Sequence, residues 1–508
     1  MKQKVPYYVR EIRKGQQAEE QDNRQRAPRV MIAAAGNARG ADQAALALLG
    51  IWREQEQSPA AFAAGPLQNH LQALRLASGN DAHSLDSWFH EADTLSYLLS
   101  HYTEGHRVAL IEARAQYFDT CSPLMLSWSD GEDREIPRGS AAELARLTRT
   151  PVILVVDVSD LSFTRLAYLK GLLTFRPNEA IAGFILAGLP ETAAKESKRQ
   201  VETELGLPVF GTIPESVLHD ELPRLADLVP EVYEDLISRK ITQLVRDLRH
   251  SLDVTAILQL ADSAPQLDAD LPQSLFRAQR FLGFEKRRYR LGVARDEAFC
   301  SYYQENLDLL GEMGADLVFF SPLRDPFLPP DLDGLYFGSG RLLDYLADAS
   351  QNETMRQQIH RLSDQGLPIM AEDSGTVYLA KAFRADSGRE WPLVGILPTV
   401  ASLSALAVPK YYANMTSRRD DLLAEHGMQL PCLLGSQYIF SPDGASYRTA
   451  VRGKGFVMEG FSTPTIWGSQ AQIHFYGQPL AAARFTQACM KNLVGRSGGG
   501  EALQGWKL

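Results

Sequence analysis

Cysteine is scarce in this chain: Cys121, Cys300, Cys432 and Cys489 are four in 508 residues. Their spacing fits neither a tetrahedral metal site nor a disulfide framework, which excludes a zinc module and a stapled secreted scaffold. A reducing, cytoplasmic setting is the expectation. Long hydrophobic runs are missing as well. No stretch reaches the roughly 18 apolar residues of a membrane-spanning helix, and the N-terminus has charges but lacks the apolar run and cleavage site of a secretory signal. Positive charge is in deficit: 52 Lys and Arg against 62 Asp and Glu leave a net charge of −10. That balance argues against general affinity for nucleic acid or an anionic membrane. The basic cluster Lys286-Arg287-Arg288-Tyr289-Arg290 reads as an exposed linker before a strand.

What the chain does carry is 45% hydrophobic content, enough over this length for two or three domains with their own cores. Residues 1–28 read as a leader, polar and charged in its second half. A strand from Arg29 to Ala35 then enters Gly36-Asn37-Ala38-Arg39-Gly40-Ala41-Asp42-Gln43 and an apolar helix from Ala44 to about Trp52. Strand, glycine-bearing loop and helix in that order are the layout of a phosphate-binding P-loop, which makes Gly36, Gly40, Ala41 and Asp42 its candidate nucleotide-binding positions. Such a loop needs Lys for the outer phosphates and Ser or Thr for Mg²⁺. Ala41 and Asp42 stand at those places, and a carboxylate there repels a triphosphate.

The run Pro151-Val-Ile-Leu-Val-Val-Asp157 has the continuous apolar character of a strand buried on both faces, and Asp157 at its end is a further candidate for the same site. Ala180 to Leu186 and Leu207 to Pro214 give two more strands around a polar helix from Glu191 to Leu205. Strands alternating with helices predict an open, mostly parallel sheet. A helical stretch from Val229 to Leu260 and a connection from Asp262 to Arg290 lead to a second α/β unit, with strands at Arg290–Ala294, Asp316–Phe320 and Gly334–Phe337.

In that second unit, residues 366–380 read as a buried strand from Leu367 to Ala371, a sharp turn and a helix start. This is the shape of a nucleophile elbow, whose apex side chain stands over the sheet beside backbone N–H groups. Asp373 is at the apex, with Ser374 one position on. An ionised carboxylate is a weak reagent for acyl transfer, which needs a thiolate or an activated hydroxyl. The turn Gly338-Ser339-Gly340 could supply N–H groups for an oxyanion hole.

Residues 291–299, Leu-Gly-Val-Ala-Arg-Asp-Glu-Ala-Phe, are followed by Tyr302-Tyr303, Asn306-Leu307, Gly314 to Leu323 and Asp333-Gly-Leu-Tyr-Phe-Gly338. In wording and order these segments closely resemble the cobyrinate a,c-diamide synthases, from about Arg29 to Met490. The resemblance implies an α/β protein of two doubly wound domains. The first, residues 29–260, would be a P-loop, dethiobiotin-synthetase-like parallel sheet; residues 261–289 would link it to a flavodoxin-like class I glutamine amidotransferase domain over 290–508. It further implies ATP and Mg²⁺ as cofactors, ammonia release from glutamine, and amidation of corrinoid carboxylates.

Residue by residue, the same resemblance puts Asp373 where relatives have the nucleophilic cysteine and Gln472 where they have the general base. His474 is retained two positions along the same strand, hence on the same face, which makes it a candidate substitute base; its alternative is a packing or hydrogen-bonding histidine beside Phe475. Glu112 is retained as a candidate Mg²⁺ or carboxylate-activating residue, whereas Leu67 and His70 replace two aspartates, and Ala113, Gln116 and Thr120 replace glycines. Pro223 to Leu228 and Arg452 to Val457 are distant counterparts of further family motifs. Framework is kept while reagents are exchanged at several places, and such groups act as units. The expectation is therefore a non-catalytic relative that binds a tetrapyrrole or corrinoid, or forms a homodimer or a heterodimer with an active homologue. The alternative is an ATP-dependent amide-forming ligase that uses glutamine or free ammonia.

Overall fold

The computed structural model describes residues 24–25, 27–36, 40–66, 70–120, 136–159, 161–176, 180–218, 230–283, 288–451 and 455–496. Most of the leader, loop residues Asn37, Ala38 and Arg39, and Leu67, Cys121, Pro223 to Leu228, Lys286, Arg287 and Arg452 to Lys454 lie outside the described residues. The chain divides between Leu271 and Pro272 into two compact units.

The N-terminal unit is built on seven strands: β1 (Arg29–Ala34), β2 (Pro59–Ala64), β3 (Ala82–Leu85), β4 (Val108–Gln116), β5 (Val152–Asp157), β6 (Ile181–Leu189) and β7 (Val209–Pro214). They form one sheet in the order β3-β2-β4-β1-β5-β6-β7, parallel throughout. All six residues of β1 are buried, as a central parallel strand requires. Arg29 opens it with a fully buried guanidinium that donates to the carbonyls of Ala27 and Thr148, each at 2.8 Å. Burial lowers this group to a pKa of about 10.

Helix α1 (Ala41–Glu54) starts three residues earlier than the apolar pattern suggests, because Gly40 turns the chain with φ 102°, a left-handed conformation cheap only for glycine. Helix α2 (Pro230–Leu248) packs across it. They pack tightly at Gly50, where a Cβ would meet Val245 Cγ2 at 2.5 Å. The single helical stretch expected up to Leu260 is in fact two helices. The second, α3 (Val254–Asp262), begins afresh with Asp253 accepting the Ala256 N–H at 3.0 Å.

The C-terminal unit holds two sheets. The first comprises β8 (Tyr289–Ala294), β9 (Ala315–Phe320), β10 (Gly334–Phe337), β11 (Ile369–Glu372), β18 (Phe461–Ser462) and β19 (Ile466–Ser469), in the order β9-β8-β10-β11-β19-β18. Only β18 is antiparallel to its neighbour. This is the doubly wound arrangement expected, with ligand sites favoured at the carboxyl ends of the strands. Strand β11 runs one residue beyond Ala371 and starts two after Leu367, because the pairing with β10 begins at Ile369.

The second sheet was not anticipated. It contains β12 (Ala380–Arg384), β13 (Glu390–Pro392), β14 (Leu397–Ser417), β15 (Gln429–Ser441), β16 (Tyr447–Val451), β17 (Gly455–Glu459) and β20 (Gln472–Ile473). Its path is β13-β12-β14-β15-β20, and β16 pairs with both β14 and β17. Its register carries weight for the site: Tyr412 of β14 faces Leu433 of β15, which faces Gln472 of β20.

Candidate functional site

Strand β11 delivers Asp373 to the apex of a tight turn into helix α4 (Ser374–Leu379). Asp373 has φ 50° and ψ −116°, a conformation that costs a non-glycine residue about 1–3 kcal/mol. The turn is held by backbone. The Asp373 N–H donates to the Ser469 carbonyl at 2.7 Å, and the Thr376 hydroxyl donates to the same carbonyl at 2.7 Å. The elbow inferred from the sequence is thus present, strain included.

What stands on it is an ion pair. Asp373 Oδ2 accepts from Lys410 Nζ at 2.7 Å and from the Ser339 hydroxyl at 2.8 Å. The same ammonium donates to Gln472 Oε1 at 2.9 Å. The Lys410 side chain is 35% exposed and that of Asp373 10%, so water screens the cation more than the carboxylate. Asp373, Gln472 and Ser339 are therefore brought together as expected, with a fourth member the sequence did not reveal.

Two N–H donors of the 338–340 turn are engaged elsewhere. The Gly338 N–H donates to the Tyr302 hydroxyl at 2.9 Å, and the Gly340 N–H to Ser374 Oγ at 2.8 Å. Ser374 is fully buried, and its hydroxyl is turned to Gly340 instead of the apex of the elbow. His474 also departs from expectation. Strand β20 ends at Ile473, so the two-residue alternation does not carry His474 to the face of Gln472. Its buried ring lies 4.6 Å from that of Tyr303, with Nε2 3.8 Å from Glu305 Oε2.

Two buried carboxylates lie under the elbow. Glu372 accepts from the Ile473 N–H and from the Tyr336 hydroxyl, both at 2.7 Å. Burial raises it to about 7 against those hydrogen bonds. Glu459 accepts from Ser469 Oγ at 2.8 Å and from the Gln470 N–H at 2.7 Å, and burial likewise raises it to about 7.

In the N-terminal unit the parallel pairing of β2 with β4 sets Ala63 beside Glu112. His70, just beyond β2, reaches the same place, with Nε2 3.0 Å from Glu112 Oε1 and both side chains buried. Asp42 Oδ1 accepts the Gln43 N–H at 3.0 Å at the start of α1. Gly36 takes φ 64°, and Asp157 turns back to Ser159, accepting its hydroxyl at 2.6 Å and its N–H at 3.1 Å. A magnesium triphosphate calls for an ammonium and a hydroxyl at this loop. The methyl of Ala41, the carboxylate of Asp42 and a Glu112 paired with His70 are a donor set that does not fit it.

Residues 290–420 match the CobB/CobQ-like glutamine amidotransferase domain. A cobyrinate a,c-diamide synthase from Dehalococcoides mccartyi is 30% identical over 413 residues, which are 79% of this chain and 84% of that protein. One from Leptospira interrogans is 30% identical over 475 residues, 91% of this chain and 99% of that protein. The chain belongs to the cobyrinate a,c-diamide synthase family. Among solved structures, that of PurLQS from Thermotoga maritima aligns with 41% of this chain and 100% of its own at 13% identity, with a TM-score of 0.31.

Membership in the cobyrinate a,c-diamide synthase family fixes which positions to compare: the elbow apex carries the Asp373–Lys410 ion pair, and Glu112 in the N-terminal unit lies against His70. The residue that sequence reasoning missed is Lys410. Its signal was a lone lysine inside the apolar run Ala405-Leu-Ala-Val-Pro-Lys410-Tyr-Tyr, uncommon for a strand unless the ammonium has a partner.

Proposed function

We propose that this chain is a member of the cobyrinate a,c-diamide synthase family that no longer hydrolyses glutamine or activates carboxylates with ATP, and that it serves as a binding or partner protein. The observation that carries the reading is the Lys410–Asp373 contact at 2.7 Å, which fills the apex of the elbow with a neutralised carboxylate. Gln472, at the general-base place, accepts from the same ammonium, and an amide has no useful proton affinity near neutral pH. At the P-loop, Ala41 and Asp42 disfavour ATP and Mg²⁺ in the usual mode. The retained scaffold would then hold a tetrapyrrole or corrinoid polycarboxylate, or pair in the cytoplasm with a second copy or an active homologue. Among the described residues no helix is long and apolar enough to cross a membrane.

The test is direct. Purified protein should show no glutamine hydrolysis and no ATP hydrolysis above buffer, while titrated tetrapyrroles shift its melting temperature. Turnover of glutamine that is abolished by Asp373→Ala would overturn the reading. A second reading, an amide-forming ligase fed by free ammonia, draws on the retained Glu112. It requires nucleotide-dependent stabilisation and a mass gain on a corrinoid polycarboxylate.

A further inference from the structure

Acyl transfer builds negative charge on an oxygen, so a working elbow must offer N–H donors to that point. The Gly338 and Gly340 N–H groups are spent on Tyr302 and Ser374. The groups that converge beside the apex are acceptors, Asp373 Oδ2 and Gln472 Oε1. The Ser339 hydroxyl orients the carboxylate from another side at 2.8 Å. The backbone bond from Asp373 to Ser469 fixes the main chain that carries this carboxylate, independently of Lys410.

Between the two acceptors lies the Lys410 ammonium, at 2.7 and 2.9 Å. These are the separations of charge-assisted N–H···O hydrogen bonds. From this we infer that the elbow pocket has become a receptor for a primary ammonium group, and that Lys410 is its tethered occupant. The ligand class is set by the acceptors: ammonium itself or an unbranched primary amine donates N–H to both, whereas a quaternary ammonium has none to donate and is rejected. The Lys410 side chain is 35% exposed, so the place its ammonium occupies borders solvent, and an amine can reach it once the tether is gone. The inference rests on the reading that the elbow has lost acyl transfer, and it adds what the elbow binds in its place.

Lys410→Met removes the ammonium and keeps an unbranched stem. Its melting temperature is measured in ammonium, methylammonium, sodium and tetramethylammonium chlorides at equal ionic strength. Ammonium and methylammonium should raise it saturably, by roughly 3–5 °C at a tenfold excess over half-saturation, relative to the other two salts. The unaltered chain and the double variant Lys410→Met/Asp373→Asn should not respond. An equal response to all four salts, or none, overturns the inference. If Lys410→Met does not fold in sodium chloride, its refolding yield in ammonium chloride becomes the readout: several-fold higher is expected, and an equal yield overturns the inference. Glutamine turnover by the unaltered chain is assayed separately, so loss of the underlying reading is told apart from failure of the salt series.

Discussion

His70 Nε2 lies 3.0 Å from Glu112 Oε1 with both side chains out of water. Removing one member leaves a buried polar group of the other without its partner, at a cost of about 1–3 kcal/mol. His70→Ala should therefore lower the urea midpoint of the N-terminal unit. His70→Asp should destabilise as well, by setting two carboxylates side by side, with Mg²⁺ restoring part of the loss. A His70→Asp variant as stable as the parent without Mg²⁺ would show that the pair is dispensable.

Cysteine placed at the apex tests what the elbow's surroundings can still do. Asp373→Cys sets a thiol beside the Lys410 ammonium, which favours the thiolate. Peptide mapping after brief iodoacetamide treatment should find residue 373 alkylated before Cys300, whose thiol desolvation pushes up. Glutamine hydrolysis should stay absent, because Gln472 supplies no base and the Gly338 and Gly340 N–H groups are engaged. Turnover in this variant would refute the claim that those donors are withdrawn.

Acid should affect the two units in opposite directions. Burial lowers His90 in the N-terminal unit to about 3, so below its ordinary value near 6.5 the unfolded chain binds the extra proton. The stability His90 contributes is present above pH ~6.5 and drains away as pH falls toward 3. Glu372 and Glu459 in the C-terminal unit are raised to about 7, so between roughly pH 7 and 4.5 the folded state binds the extra protons. Their contribution is complete below about 4.5 and is lost as pH rises through 7. Each group changes stability by up to about 1.4 kcal/mol per pH unit in its window. Hydrogen exchange between about pH 8 and pH 5 should show peptides around residue 90 losing protection and those around 372 and 459 gaining it. Glu459→Gln should flatten the second trend.

The crossing of α1 and α2 offers a purely steric test. Gly50→Ala forces a Cβ to within 2.5 Å of Val245 Cγ2, an overpacking worth about 1–3 kcal/mol. Val245→Ala in the same chain should recover most of it, read as non-additive shifts in denaturation midpoint.

Sequence patterning disclosed the parallel sheets because they consist of short apolar strands such as Val152–Asp157, buried on both faces and alternating with helices. The elbow was legible for a local reason: strand, apex and helix are contiguous from Ile369 to Leu379. Lys410 was not legible, since it reaches Asp373 across 37 residues and Gln472 across 62. Those meetings depend on the register of β14, β15 and β20, and β14 alone contains two register shifts against β15. Ser374 and His474 misled for a related reason. Proximity in the chain placed them near the chemistry, but the hydroxyl of one turned to Gly340 and the strand of the other stopped one residue short. The early start of α1 was a matter of one glycine with a left-handed turn that an apolar count does not register.

The carbonyl of Ser469 grips both the Asp373 N–H and the Thr376 hydroxyl, and Ser469 is itself gripped by Glu459. The bend at residue 373 is consequently imposed by the neighbouring strand and owes nothing to whichever side chain crowns it. Tip and mounting are independent parts: a thiol, a carboxylate or an amide can be fitted to the same bracket, and the protein's chemistry can be rewritten there without touching its architecture.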